Sequence, residues 1–272
     1  GKSVCYQISA LLLPGVTIVI SPLISLMKDQ VEALRQVGIP AAYINSSISQ
    51  EEFYHSMQML QQGQCRILYV APERLMTESL LRLAQRVQIS MIAVDEAHCV
   101  SQWGQDFRQS YLDIPVFMEQ LPVRPVCTAF TATATKQVEA DIARILKLRD
   151  PETIHTGFDR KNLFFGVRRP NSKMTELFHL LKENDGKSGI VYCSTRKAVE
   201  EVCASLCDTG FDATRYHAGL SDVERAQNQD DFLYDRKPIM VATNAFGMGI
   251  DKSNVSFVIH YNKVGGQAVL GR

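Results

Sequence analysis

The residues with the clearest chemical potential are two adjacent acids, Asp95-Glu96, followed by Ala97-His98 at the end of the apolar run Met91-Ile92-Ala93-Val94. Carboxylates at the C-terminal end of a buried strand sit where open α/β sheets bind ligands. Asp95 can hold a divalent cation and Glu96 can position an attacking water, the two tasks that phosphoryl hydrolysis sets. Far upstream, Gly1-Lys2-Ser3 forms the tail of G-x-x-x-x-G-K-[ST]. In that loop the Lys reaches the β- and γ-phosphates of a nucleotide and the hydroxyl binds Mg²⁺. The tripeptide alone is a weak signal, because Gly186-Lys187-Ser188 repeats it. Val4–Leu13 suits a helix after the first copy, so Gly1, Lys2 and Ser3 would lie at a helix N-terminus able to receive phosphate. The second copy leads into a strand and reads as a turn. Solvated loop acids would be the ordinary reading of a bare Asp-Glu pair. That reading leaves the apolar strand, His98 and the upstream Gly-Lys-Ser unexplained together.

Directly after the acids comes a loop rich in aromatic and basic residues, Cys99-Val100-Ser101-Gln102-Trp103-Gly104-Gln105-Asp106-Phe107-Arg108. A nucleic-acid base stacked on an aromatic ring contributes about 1–3 kcal/mol. Trp103 and Phe107 could therefore report strand binding to the acids beside them; the alternative is that either ring packs into the core. Arg74 and Arg108 are candidates for phosphate contacts or ordinary surface charges. Thr131 and Thr133 are candidates for a relay, or strand-end hydroxyls that cap the next helix. His217, in Tyr216-His217-Ala218-Gly219, is a candidate for a nucleic-acid contact or simply closes its turn. Gly247 and Gly249 suit a loop that brings backbone close to a ligand, with Asp251 a candidate to face a nucleotide ribose or a neighbouring domain.

The elements that must position these groups alternate between apolar runs and helix-period segments. Strands are predicted at Thr17–Ile20, Ala41–Ile44, Arg66–Val70, Met91–Val94 and Val126–Thr131. Helices are predicted over Leu23–Val37, Glu51–Gln61 and residues 136–148, the last behind Thr135 as N-cap. The pattern breaks at Arg149-Asp150-Pro151-Glu152 and then restarts. Met174, Leu177, Phe178 and Leu181 follow helical spacing behind Ser172, and Val199, Val202, Cys203 and Leu206 make a second stripe ended by Gly210. Ser221 and Glu224 have capping-box spacing. Further strands are predicted at Ser188–Cys193, Ile239–Ala242 and Val255–Tyr261. The expected fold is α/β, two tandem parallel sheets flanked by helices, with domains over residues 1–152 and 153–272.

The chain has 272 residues, and 46% of them are apolar, enough for about two domains with sizeable cores. Lys plus Arg and Asp plus Glu are both 29. That balance gives no support for a strongly basic nucleic-acid protein, so any such affinity must come from local patches, backbone N–H groups and helix N-termini. Seven cysteines without a C-x-x-C pair read as reduced, mostly buried thiols of an intracellular compartment. Neither a membrane-length apolar run nor a signal peptide is expected.

Asp95-Glu96-Ala97-His98 resembles the D-E-A-H box of superfamily 2 helicases, and the loop from Cys99 to Arg108 resembles the aromatic-rich loop of the RecQ family. Gly1–Gln7, Ser21–Gln30, Ala71-Pro72-Glu73-Arg74-Leu75 and Thr131-Ala132-Thr133-Ala134 resemble motifs I, Ia, Ib and III. Val191-Tyr192-Cys193-Ser194-Thr195-Arg196 resembles motif IV, and Tyr216–Leu220 and Val241–Lys252 resemble the later motifs, up to about residue 262.

The resemblance implies two RecA-like lobes with ATP between them and single-stranded or partially duplex DNA across the top. It implies Mg²⁺-dependent ATP hydrolysis coupled to 3′→5′ translocation and unwinding, in DNA repair and recombination, in the bacterial cytoplasm or a eukaryotic nucleus. It also implies nucleic-acid contacts by Ser21, Arg196 and Thr243, and coupling through Trp103, Thr131, Thr133 and His98. Two departures stand out. The early P-loop glycines and the upstream adenine-reading glutamine motif are missing. Residues 263–272 match the family's Q-x-x-G-R-x-G-R poorly, so Arg272 is not assigned as an arginine finger, a group that can contribute about 10³–10⁵ in rate. The zinc-binding and winged-helix regions are also absent. The expectation is an impaired motor, with a non-catalytic DNA-binding module and an RNA helicase as the rival readings.

Overall fold

The computed structural model describes residues 2–104, 106–132, 134–155, 162–244, 246 and 252–262. The chain divides into two compact units, residues 1–156 and 157–272. In the first, the elements are α1 (Lys2–Leu12), β1 (Val16–Ile20), α2 (Ile24–Gln36), β2 (Ala41–Ile44), α3 (Gln50–Gln61), β3 (Ile67–Val70), α4 (Glu78–Ala84), β4 (Ile89–Val94), α5 (Asp113–Glu119), β5 (Val126–Ala129) and α6 (Lys136–Ile145). The five strands pair in parallel in the order β2-β3-β1-β4-β5.

Side chains alternate across a strand, so each strand feeds two cores. Ile18, Ile20, Leu68, Val70, Ile92 and Val94 face one layer, with Leu60 of α3, Leu80 and Leu83 of α4, Phe117 of α5 and Val138 and Ile142 of α6. Val19, Ile67, Tyr69, Met91 and Ala93 face the other, with Tyr6 and Ala10 of α1 and Met27, Val31 and Leu34 of α2. Burial on both faces explains why β3 is a continuous apolar run and β1 is apolar at every position but the buried Thr17.

The second unit contains α7 (Lys173–Glu183), β6 (Ser188–Tyr192), α8 (Arg196–Asp208), β7 (Ala213–Tyr216), α9 (Asp222–Leu233), β8 (Ile239–Ala242) and β9 (Val255–His260). Its parallel sheet runs β7-β8-β6-β9. That is the order β2-β3-β1-β4 repeated, with β6 in the place of β1. The correspondence extends to an irregularity. Pairing of β1 with β4 slips between Val16 and Thr17, passing over Ser90. Pairing of β6 with β9 slips between Ser188 and Gly189, passing over Ser256.

The expected N-caps are present: Thr135, Ser172 and Ser221 accept N–H bonds from Val138, Thr175 and Glu224. A second capping box, Ser49 with Glu52, opens α3. Three elements have no sequence expectation. α5 carries Pro115, which reads as a breaker but is tolerated in a first turn. α4 has seven residues, and β7 is four residues long with Arg215 inside it. The strand expected over Val126–Thr131 ends at Ala129, and the helix expected over residues 136–148 ends at Ile145. Four of the seven cysteines are buried, while Cys5 and Cys207 are exposed. Among the described residues, no helix is long and apolar enough to cross a membrane.

Candidate active site

β1 and β4 lie side by side at the centre of the first sheet, and the turn after β4 carries the two acids. Asp95 N–H donates to the Ile20 carbonyl (2.8 Å) and Ala97 N–H to the Phe130 carbonyl (2.8 Å). The buried Tyr111 hydroxyl donates to the Asp95 carbonyl (2.9 Å), and Glu96 N–H donates to Asp95 Oδ1 (3.0 Å). Held by these four bonds, Glu96 adopts a left-handed backbone, φ 45° and ψ 47°. A non-glycine residue there costs about 1–2 kcal/mol. Such strain persists where the surroundings over-determine it, and it concentrates at functional sites.

Lys2 opens α1 and reaches this turn. Its Nζ donates to Glu96 Oε1 at 3.3 Å and lies 3.9 Å from Asp95 Oδ1. Ser3 is half-buried in the same first helical turn. The expected grouping of Lys2, Ser3, Asp95 and Glu96 therefore occurs at one end of one sheet. His98 is buried, with Nδ1 3.0 Å from Thr131 Oγ1 and 3.3 Å from Glu96 Oε2. Glu96 Oε2 is itself buried and makes no hydrogen bond. Gly1, Thr133, Gly247, Gly249, Asp251 and Arg272 lie outside the described residues.

Burial pushes the Tyr6 and Tyr111 hydroxyls up, with Asp95 and Glu96 adding to the effect, so both stay neutral donors beside the acids. Burial likewise pushes the Cys99 thiol up to about 12, which makes it a poor nucleophile.

The aromatic loop is fastened to the same turn. Arg108 N–H donates to the Cys99 carbonyl (2.9 Å) and Gly104 N–H to the Ser101 carbonyl (2.9 Å). A Cβ on Gly104 would stand 2.1 Å from the His98 carbonyl oxygen, so only glycine permits this approach. Trp103 is 76% exposed, which removes the core-packing alternative for it, while Phe107, 38% exposed, is partly covered.

Other expected contacts need correction. The Arg108 guanidinium bonds Asp106 through Nε and Nη2 (3.1 and 3.0 Å) and the Pro22 carbonyl through Nη1 (3.2 Å). It braces the loop while remaining partly exposed. Ser21 is buried, not presented at the surface. His217 is buried as well; its Nδ1 accepts from Gly219 N–H (3.1 Å), so Nε2 carries the proton toward Glu200 Oε1 (2.8 Å). The bond to Gly219 closes the turn. Arg196 is exposed at the start of α8 beside Gly219, and Thr243 N–H bonds the Tyr216 carbonyl at the end of β8. Arg74 lies over the Phe53 ring, 5.7 Å from its centroid.

Two residues escaped the sequence reading. Tyr111 gave no signal, since nothing in Gln109-Ser110-Tyr111-Leu112 suggests chemistry. Asp141 did: it is an acid on the apolar stripe of α6, between Val138 and Ile142.

Comparison with known proteins agrees with this geometry. A DEAD/DEAH box helicase model matches residues 1–141, and a helicase conserved C-terminal domain model matches residues 172–270. The ATP-dependent DNA helicase RecQ of Bacillus subtilis is 48% identical over 96% of this chain and 44% of its own length. RecQ of Pasteurella multocida is 45% identical over 96% of this chain and 41% of its own length. Mouse ATP-dependent DNA helicase Q5 is 40% identical over 96% of this chain and 28% of its own length. The chain thus spans less than half the length of these relatives.

Among solved structures, Saccharomyces cerevisiae Dbp5 bound to RNA and ADP BeF3 aligns with a TM-score of 0.67 at 20% identity, covering 96% of this chain and 68% of that one. Mycobacterium smegmatis helicase Lhr bound to ssDNA and AMP-PNP aligns with a TM-score of 0.64 at 20% identity, covering 94% and 37%. These two likenesses concern the fold, tandem RecA-like α/β domains. With the acids, the helix-borne lysine and the aromatic loop in place, the chain belongs to the DEAD/DEAH box helicases, and over nearly its whole length it is similar to the RecQ helicases.

Proposed function

We propose that this chain is the ATP-hydrolysing motor region of a DNA helicase, moving 3′→5′ along single-stranded DNA and opening partially duplex DNA during repair and recombination. The observation that carries the reading is the Lys2 ammonium set against both Asp95 and Glu96 at the mouth of a strained turn. An ammonium lodged between two carboxylates can exchange one of them for a phosphate oxygen. The residues fit Mg-ATP: Lys2 and Ser3 at the start of α1 would hold the phosphates, and Ser3 and Asp95 the metal. Mg²⁺ typically takes one or two carboxylates plus phosphate oxygens. When bound, it neutralises charge on the phosphates during transfer.

The chain's own residues do the rest. Glu96 Oε2, buried and without a hydrogen bond, orients the attacking water and receives its proton. His98, between Glu96 and Thr131, passes the state of the acids to the segment after β5. Trp103 and Phe107 stack bases at the far end of the loop that starts from the same turn.

The test is ATP hydrolysis with and without single-stranded DNA, beside a Glu96→Gln control. DNA-stimulated turnover that the control abolishes supports the motor. DNA binding without turnover would leave a binding module, and preferential stimulation by single-stranded RNA would move the chain to the RNA helicases.

A further inference from the structure

Ser101 stands at the hinge between the acidic turn and the aromatic loop, fully buried. Its N–H donates to the His98 carbonyl (3.2 Å). Its Oγ accepts from Trp103 N–H (3.1 Å) and donates to Asp141 Oδ2 (2.7 Å). Asp141 projects from α6, is 7% exposed, and takes a second donor, Arg144 Nη2, on Oδ1 (2.8 Å). An acid on a buried helix face costs stability unless its lone pairs are used, and here the hydroxyl of Ser101 uses them. With its proton committed to Asp141, Ser101 Oγ keeps a lone pair aimed at Trp103 N–H. The backbone of the exposed indole is thus fixed by a chain that begins on a helix outside the acidic turn and the loop.

We propose that Asp141, acting through Ser101, is a positioning residue that sets the orientation of Trp103 and so makes the aromatic loop a rigid reporter of DNA. The proposal deepens the function proposed above and rests on its reading of Trp103 as a base-stacking residue. Without the Asp141 acceptor, the Ser101 hydroxyl turns to other acceptors, Trp103 N–H loses its anchor, and the indole samples orientations that do not stack.

Trp103 is the single tryptophan of the chain, so its fluorescence reports this loop alone. In Asp141→Ala, the anisotropy of Trp103 falls in the absence of DNA. The oligo(dT) concentration that gives a half-maximal Trp103 response rises, by up to about 150-fold if one stacked base is lost. DNA-free ATP hydrolysis stays at the level of the unsubstituted chain. Asp141→Asn, whose side-chain oxygen still accepts from Ser101, restores both fluorescence readouts. Arg144→Ala, which removes only the ion pair, leaves them in place. Unchanged DNA-free anisotropy in Asp141→Ala overturns the proposal whatever DNA does. So does a parallel loss of thermal stability and DNA-free hydrolysis in both the Ala and Asn variants, which would mark a general scaffold residue. If oligo(dT) leaves the Trp103 signal of the unsubstituted chain unchanged, the DNA reading of the loop fails, and the anisotropy comparison still decides the positioning role.

Discussion

At the start of the chain, Lys2-Ser3 begins a helix whose lysine faces two carboxylates, whereas at residues 186–188 the same Gly-Lys-Ser turns the chain from α7 into β6. There Gly186 adopts φ +71°, Lys187 Nζ donates to Asn184 Oδ1 (3.3 Å), and Ser188 Oγ donates to Asp235 Oδ1 (2.6 Å). The second lysine serves a local turn, and the second serine pins the start of a strand to the loop after α9. The two copies differ in the element that comes after the tripeptide. A helix presents free N–H groups and a positive dipole end to a ligand, whereas a strand spends its N–H groups on its neighbours.

The largest expected effect separates the two lysines. Lys2→Ala lowers ATP hydrolysis by at least about 10²-fold, the usual cost of removing a preorganised charge-stabilising group, while Lys187→Ala leaves hydrolysis unchanged. Steady-state turnover of the two variants checks this, and equal effects would erase the distinction. Next is Trp103→Ala, expected to weaken single-stranded DNA binding by about 5- to 150-fold, measured by titration against labelled oligonucleotide.

Tyr111→Phe removes only the hydroxyl on the Asp95 carbonyl. A stability loss of about 1 kcal/mol should accompany slower hydrolysis if that bond helps hold Glu96 in its left-handed conformation. Unfolding curves and turnover rates together test it.

The smallest effect belongs to the second copy. Asp235 is held down to about 2, first by the Lys252 ammonium and then by Ser188 and Asn254. A carboxylate depressed in the folded state adds stability above its unfolded value near about 3.9. That contribution fades as pH falls from there toward 2. Ser188→Ala narrows this acid-loss window without touching hydrolysis, which an acid titration followed by circular dichroism would show.

Much of this was legible in the sequence where a local pattern maps onto a local structure. The apolar runs of β1, β3 and β8 became strands covered on both faces, whereas β9 alternates and leaves Val258 exposed. Thr135, Ser172 and Ser221 announced helix starts because an N-cap needs only the residues beside it. The proximity of Lys2 to Asp95 and Glu96, with Ser3 in the same helical turn, was legible because two sequence signals had to converge on one sheet end. What escaped depends on contacts across the fold. Nothing near Tyr111 announces that its hydroxyl reaches the Asp95 carbonyl. Whether Arg108 faces solvent or Asp106 and Pro22 is set by how the loop folds back. Ser21 reads as a surface contact, and for His217 the two alternatives of a DNA contact and a closed turn stay open, because burial at a strand's end depends on neighbours distant in sequence.

The paired slips in the two sheets have a meaning of their own. Parallel strands with helical crossovers recur wherever physics favours them, so the shared strand order says little about history. A one-residue fault passes over a serine at the first pairing of β1 with β4 and again at the first pairing of β6 with β9. An extra residue on one strand of a pair bends that strand and raises its local twist. In each unit the strand therefore enters the sheet turned relative to its neighbour and pairs evenly only from the next residue onward, which sets the direction in which its C-terminal end leaves the sheet.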